Sequence, residues 1–334
     1  MTTSRTQIIA EVAQGYEGKP EFCELYVRAA AKAGADAVKF QIVYADDVAE
    51  PGYRFYDWYK KLEMPLDTWR NVRKQARDLG IDFFCDVSGD RALDMAAELE
   101  PDGIKLHASN FFNRALIRSA FDHAERVFIS IGGIFEQEVD ALVRELEDWK
   151  VMDRTVLLYG FQAEPTPVDK SALNRLPLLK ARYSDIAIGY LDHTDGDGPD
   201  RLTVSAMAMA LGADWIEKHL TLSRYLEIED YPSALEPDEF ADYVEAMKRL
   251  GEAFGVATME LSEQERAYRD KAVKKLLAAR DLAVGDELAL QDINLRRTAR
   301  IEEFSGFHDP SDVVGRKVKM ALAAGSPILG EHLE

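Results

Sequence analysis

The sequence is poor in cysteine, with only Cys23 and Cys85 in 334 residues. Neither sits in a CxxC pair or a zinc-type spacing. That excludes a disulfide scaffold and a zinc ribbon, and it suits a reducing, cytoplasmic compartment. Positive charge is also short: 41 Lys and Arg face 60 Asp and Glu, for a net charge of −19. Such an excess repels nucleic acid backbones and anionic membranes, so neither is expected as a partner. No apolar run reaches the length of a membrane span, and the opening MTTSRTQIIAEVAQ lacks the apolar core of a signal peptide. A dinucleotide fingerprint is missing as well. The first β-like run leads into AQGYEGKP, which is not GxGxxG.

Apolar residues are plentiful at 47%, enough for a sizeable core. Short apolar runs occur at 8–13, 37–43, 81–87, 103–109, 126–132, 156–162, 186–192 and 215–222, and segments with helical periodicity separate most of them. Eight β-then-α units before residue 260 predict a (β/α)8 TIM barrel over 1–260. A charged helical linker is expected at 261–275. A small β-rich domain is expected at 276–334, where VGDE and AAGSP mark turns.

Several of these strands carry ionisable residues. IEKHLTL (216–222) has a glutamate, a lysine and a histidine in its middle, and IAIGYLDHT (186–194) ends in another histidine. Alternate residues of a barrel strand face the lumen. Glu217 and His219 then share a face, as do Lys39 and Gln41, and Lys105, His107 and Ser109. Glu11, Asp86 and Ser130 hold similar places, whereas Lys218 faces the other way and is assigned a structural role. The polar positions gather at strand C-terminal ends, where barrel enzymes carry their chemistry. His193 and His219 lie on adjacent strand ends and could share a divalent ion, with Glu217, Asp192, Glu11 or water completing the shell. Lys39 and Lys105 could bind a phosphate or carboxylate, pair with Glu11 or Asp86, or form a Schiff base. Arg296, Arg297 and Arg300 fall in an expected loop.

IIAEV, AGADAVKFQ, GIKL, FISIGG, EPTPVD, IGYLDHT, IEKHLTLSR and SALEP, in this order, resemble the sialic acid synthase family. The C-terminal segment is similar to its antifreeze-like SAF domain. The resemblance implies a barrel followed by a SAF domain, in a domain-swapped homodimer. It implies condensation of phosphoenolpyruvate with an (acylamino) hexose aldehyde to a 2-keto-3-deoxy sugar acid, with phosphate released. His193 and His219 match the metal ligands, for manganese or magnesium. Lys39, Lys105 and Ser130 match contacts to phosphoenolpyruvate, and Gln41 matches a sugar contact. Gln162 is a further candidate for holding the phosphate. Glu11, Glu217 and Asp230 match carboxylates near the reacting centre. Arg297 matches an arginine that enters the barrel of the second subunit.

The chain departs from the family pattern in places. GYEG (15–18) replaces an Asn-His-Asn-Gly loop, Asp86 replaces a threonine, and Ala108 or Ser109 falls at a serine. The strand-six motif becomes Gly160, Phe161, Gln162, Ala163, Glu164 and Pro165, and Leu191 replaces a serine. Asp86 and Leu191 are poor neighbours for a phosphate. They favour an alternative reading, a metal-dependent aldolase or lyase that no longer uses phosphoenolpyruvate. A non-catalytic sugar binder is the third reading, opposed by the retained histidines, Glu217 and lysines.

Overall fold

The structure is a computed structural model that describes residues 5–298 and 307–334. The chain forms two compact units, one ending at Val256 and the other beginning at Ala257. In the first, β1 (Gln7–Ala13), β2 (Ala37–Ile42), β3 (Asp82–Val87), β4 (Gly103–Leu106), β5 (Arg126–Ser130), β6 (Thr155–Tyr159), β7 (Ala187–Asp192) and β8 (Trp215–His219) close a parallel barrel. Each strand pairs with the next, and β8 returns to β1 with Glu11 opposite His219. This is the (β/α)8 architecture that the alternating pattern predicts. β2, β4, β5, β6 and β8 end before their runs do, whereas β1, β3 and β7 end with them. β4 stops at Leu106, because the His107 side chain accepts the Ser109 N–H and starts a turn that competes with the ladder.

The outer helices follow from sequence in an ordinary way. Pro20–Ala33 has Pro20 in its first turn, and Gly34 closes it at φ 76°. It buries Cys23, Tyr26, Val27 and Ala30, one face at helical spacing. The same side chains face the outer surface of the barrel, where Val38, Phe40, Phe83 and Ile216 complete the main core.

The lumen is layered. Its floor is apolar, built from Ile9, Phe84, Phe128, Val156, Leu158 and Leu191. Gly103 makes room there, since a Cβ would sit 2.9 Å from the Phe84 ring and 3.0 Å from the Phe128 ring. Above the floor, the same strand faces carry Glu11, Lys39, Asp86, Lys105, Ser130 and Glu217, all buried.

The second unit begins with the helix Glu263–Ala272, which buries none of its residues. β9 (Lys275–Ala278) and β10 (Ile293–Arg296) pair antiparallel. Leu276, Leu288, Val313 and Val318 lie in a separate small core. No described helix is long and apolar enough to cross a membrane.

Candidate active site

Register brings the charged residues of the lumen together. Glu11 lies opposite Lys39, Asp86 opposite Lys105, and Leu191 opposite Glu217. The Lys39 ammonium touches Glu11 Oε2 at 2.8 Å and also contacts Glu217. Lys105 Nζ lies 2.7 Å from Asp86, 3.6 Å from Glu217 and 4.0 Å from Glu11. Both lysines are thus paired with carboxylates, and three acids share two bases. Buried unpaired charge is costly, so the cluster holds a proton. Burial pushes Glu11 up to about 8 against the pull of Lys39. Burial also disfavours ionised Glu217, but Lys105 and Lys39 outweigh it and hold that carboxyl below the usual range. Glu11 Oε1 meanwhile accepts the Ala13 N–H at 2.6 Å, across the irregularity that ends the β1–β2 pairing.

The two histidines stand just above this cluster. His219 ends β8 and His193 follows β7, with ring centroids 5.0 Å apart. Neighbouring backbone holds their positions. The His193 carbonyl accepts the Thr166 N–H at 2.7 Å and the Ser233 hydroxyl at 2.9 Å, and the His219 carbonyl accepts the Leu235 N–H at 2.9 Å. Burial pushes His193 down to about 4 and His219 down to about 3, so both imidazoles are neutral at pH 7. A neutral imidazole is the form that binds a metal. Glu164, in the loop after β6, completes a set: one ligand atom each from Glu164, His193 and His219 lie within 4.8 Å of one another. His193 Nδ1 is buried without a hydrogen-bond partner. Two nitrogens and a carboxylate oxygen, with an orphaned buried imidazole nitrogen, fit a divalent ion. Asp230 lies beside this set, 3.6 Å from His219 Nδ1, and burial raises its carboxyl to about 7.

Not every expected residue joins the centre. Asp192 turns to the outside of the barrel, where it contacts the Ser205 hydroxyl and lies 3.2 Å from Lys218 Nζ. It therefore does not complete the shell around the histidines. Glu217 and Glu11 are engaged by the lysines. Lys218 also donates to the Thr194 carbonyl at 3.0 Å, in keeping with a structural role. Ser130 accepts from Gln162 Nε2 at 3.2 Å, which places these two candidates together. Gln41 accepts from Gln14 at 2.9 Å, and Gln14 accepts in turn from the Trp58 indole at 3.1 Å. Arg297 is exposed on the second unit, and Arg300 lies outside the described residues. Sequence reasoning passed over Glu164, Gln14, Trp58 and Tyr59. Glu164 was visible as an acid just past a strand end, but its loop has no periodicity to aim it.

A closed parallel barrel, with buried acids, lysines and neutral histidines at the C-terminal ends of its strands, defines the class: a (β/α)8 barrel of the enzyme type. The NeuB family model matches residues 26–259, and the SAF domain model matches 276–334. The chain belongs to the NeuB family. It is 26% identical to the N,N'-diacetyllegionaminic acid synthase of Legionella pneumophila, covering 98% of this chain and 94% of that one. It is 25% identical to the N-acetylneuraminate-9-phosphate synthase of Mus musculus, covering 98% and 92%. Among solved structures, the N-acetylneuraminic acid (sialic acid) synthetase of Leptospira borgpetersenii in complex with citrate superposes with a TM-score of 0.74 at 25% identity. That match covers 81% of this chain and 93% of the other.

Proposed function

We propose that the protein is a carbon–carbon bond-forming synthase that condenses phosphoenolpyruvate with an acylamino hexose aldehyde. The observation that carries this reading is the convergence of Lys39, Lys105, Glu11, Glu217, His193 and His219 in the lumen mouth. Relatives named as legionaminic acid and neuraminate phosphate synthases support it.

In this reading Lys39 and Lys105 exchange carboxylate partners for the anionic groups of the donor, and Ser130 with Gln162 holds a phosphate oxygen. His193, His219 and Glu164 would hold a manganese or magnesium ion, which when bound supplies a Lewis acid and a template. Carbon 3 of the enolpyruvate attacks the aldehyde carbon. Water adds at carbon 2, and the tetrahedral intermediate loses phosphate. Glu11 carries a proton at pH 7 and is placed to deliver it, and Glu217 is ionised and placed to accept one. Asp230, with a carboxyl near neutrality, serves beside the aldehyde. A cytoplasmic location suits the two buried free cysteines. A domain-swapped homodimer, with Arg297 entering the other subunit's barrel, belongs to the same reading. Mixing Arg297→Ala and His219→Ala chains would then restore activity that neither has alone, and no recovery would sink the swap.

The first test is inorganic phosphate release from manganese, phosphoenolpyruvate and a panel of acylated hexosamines, with His219→Ala as control. Acceptor-dependent release lost in the control is expected. A second reading is favoured by the Asp86–Lys105 pair at 2.7 Å and by Leu191 in the lumen floor. It is a metal-dependent aldolase or lyase with a donor that carries no phosphate. No phosphate release, together with no calorimetric binding of phosphoenolpyruvate, would put that reading first.

A further inference from the structure

We propose that the acceptor is an aldose carrying no phosphate and no carboxylate; this rests on the synthase reading above. The site has two chambers, both rich in carboxylates, and among the described lining residues only the inner one carries an ammonium: Glu11 and Glu217 line it beside Lys105, and Glu164 and Asp230 line both. The inner one, of about 240 Å³, is walled by Lys105 and both histidines. The outer one, of about 490 Å³, shares Gln41, His107, Glu164 and Asp230 with it. No Lys or Arg is among the described residues that line the outer chamber, whereas five carboxylates are: Asp47, Asp86, Glu164, Glu229 and Asp230. Asp86 is committed to Lys105 and Asp47 to the Ala92 N–H at 3.0 Å. Glu164 faces the histidines. Asp230 has His219 beside it and feels the charge of Lys105, and among the described residues Glu229 makes no ion pair.

Of the cations close in sequence to this wall, Lys39 and Lys105 are paired with acids in the lumen, Arg54 lies over the Phe55 ring, and Lys60 and Arg91 are engaged with surface acids. Lys60 pairs with Asp46 and Glu63 at 3.2 and 3.0 Å. Arg91 lies 3.3 Å from Asp46 and over the Tyr44 ring. A phosphate dianion in the outer chamber would meet five carboxylates and no ammonium or guanidinium among the described lining residues of this chain, and Arg297 of the partner subunit would be a single cation against them. Neutral recognition groups are present instead. The Trp58–Gln14–Gln41 relay fixes an amide that lines both chambers, suited to sugar hydroxyls and acyl amides. Tyr59 adds an aromatic wall for an apolar sugar face. An anion therefore finds an ammonium only in the inner chamber, at Lys105, and the outer wall disfavours a second one.

The test titrates N-acetylmannosamine and its 6-phosphate separately into the manganese-loaded full-length protein by calorimetry. Turnover with phosphoenolpyruvate is measured alongside. The unphosphorylated sugar should bind at least ~10-fold more tightly, the scale of one like-charge contact at a partly exposed site. The gap should narrow as salt is raised, because screening weakens charge-based rejection and leaves a steric one alone. Glu229→Lys should narrow it too. Equal or tighter binding of the 6-phosphate overturns the proposal, as does binding of neither sugar, or a gap indifferent to both salt and Glu229→Lys. Preference for the unphosphorylated sugar without phosphate release would sink the donor reading and leave this one standing.

Discussion

Lys39 and Lys218 are both wholly buried ammonium groups on strands of one barrel, and strand parity separates what they do. Lys218 points outward and ties β8 to Asp192 and Thr194. Lys39 points inward and joins the acids of the lumen. Parity of this kind is readable from sequence, so Glu11, Lys39, Asp86, Lys105 and Glu217 were all legible as lumen residues. Glu164 was not, because a loop side chain is aimed by tertiary contacts. Its part is testable without turnover. Glu164→Gln should weaken manganese binding, followed by electron paramagnetic resonance of the free ion, by at least the ~10–100-fold that loss of an outer partner costs. Unchanged affinity would remove Glu164 from the ligand set. Protonation of the cluster gives a second prediction. Glu11 is raised from 4.5 to about 8 and Asp230 from 3.8 to about 7, so both bind protons more tightly in the folded state. Their stabilisation is lost as pH rises through those values. The histidines, lowered to about 4 and 3, contribute a rise in stability with pH that is complete by about 6.5. The metal-free protein should therefore lose thermal stability between pH 6.5 and 8, and Glu11→Gln should flatten that slope. An unaltered slope would mean that the proton resides elsewhere.

At the level of elements, strand length and lumen filling set the depth of the site. The strands stop at or just beyond the charged layer, and the residues that follow turn outward to form the mouth. Beneath, aromatic rings of β3 and β5 crowd over β4, where only a glycine leaves them space. Gly103→Ala would place a methyl about 3 Å from two rings and should destabilise the fold by roughly 1–3 kcal/mol, the usual cost of overpacking. A midpoint in denaturant equal to wild type would show that Phe84 and Phe128 yield freely. The eight strand positions were legible because buried parallel strands read as short apolar runs between helical periods. The C-terminal limits of β4, β5, β6 and β8 were not, since turns and loop packing rather than a change of composition end their ladders.

For the whole molecule, the longest unbroken run of exposed residues among those described lies where one unit gives way to the other. Residues 252–271 are exposed throughout, and the helix within them buries nothing. Local opening is cheapest where few apolar contacts must break. Limited proteolysis should cut there first and release two fragments, each retaining its circular dichroism, because each unit has its own core. First cleavage inside the barrel would contradict this division. The acidic surface, net −19, extends the same reasoning to ligands. A small anion reaches the lysines against the average field, so donor binding should strengthen at moderate salt.

Sequence by itself determined the class of fold and the identity of most lumen residues, because period-two alternation and the β-then-α order follow from local geometry that every strand repeats. It also held the IGYLDHT and IEKHLTL motifs that mark the family. Only the tertiary structure decided which acid serves which base. It turned Asp192 away and brought Glu164 to the histidines, and it separated a chamber with a lysine from one without any. Those outcomes depend on distances between side chains far apart in the chain, which barrel closure and loop packing set and which no local period encodes.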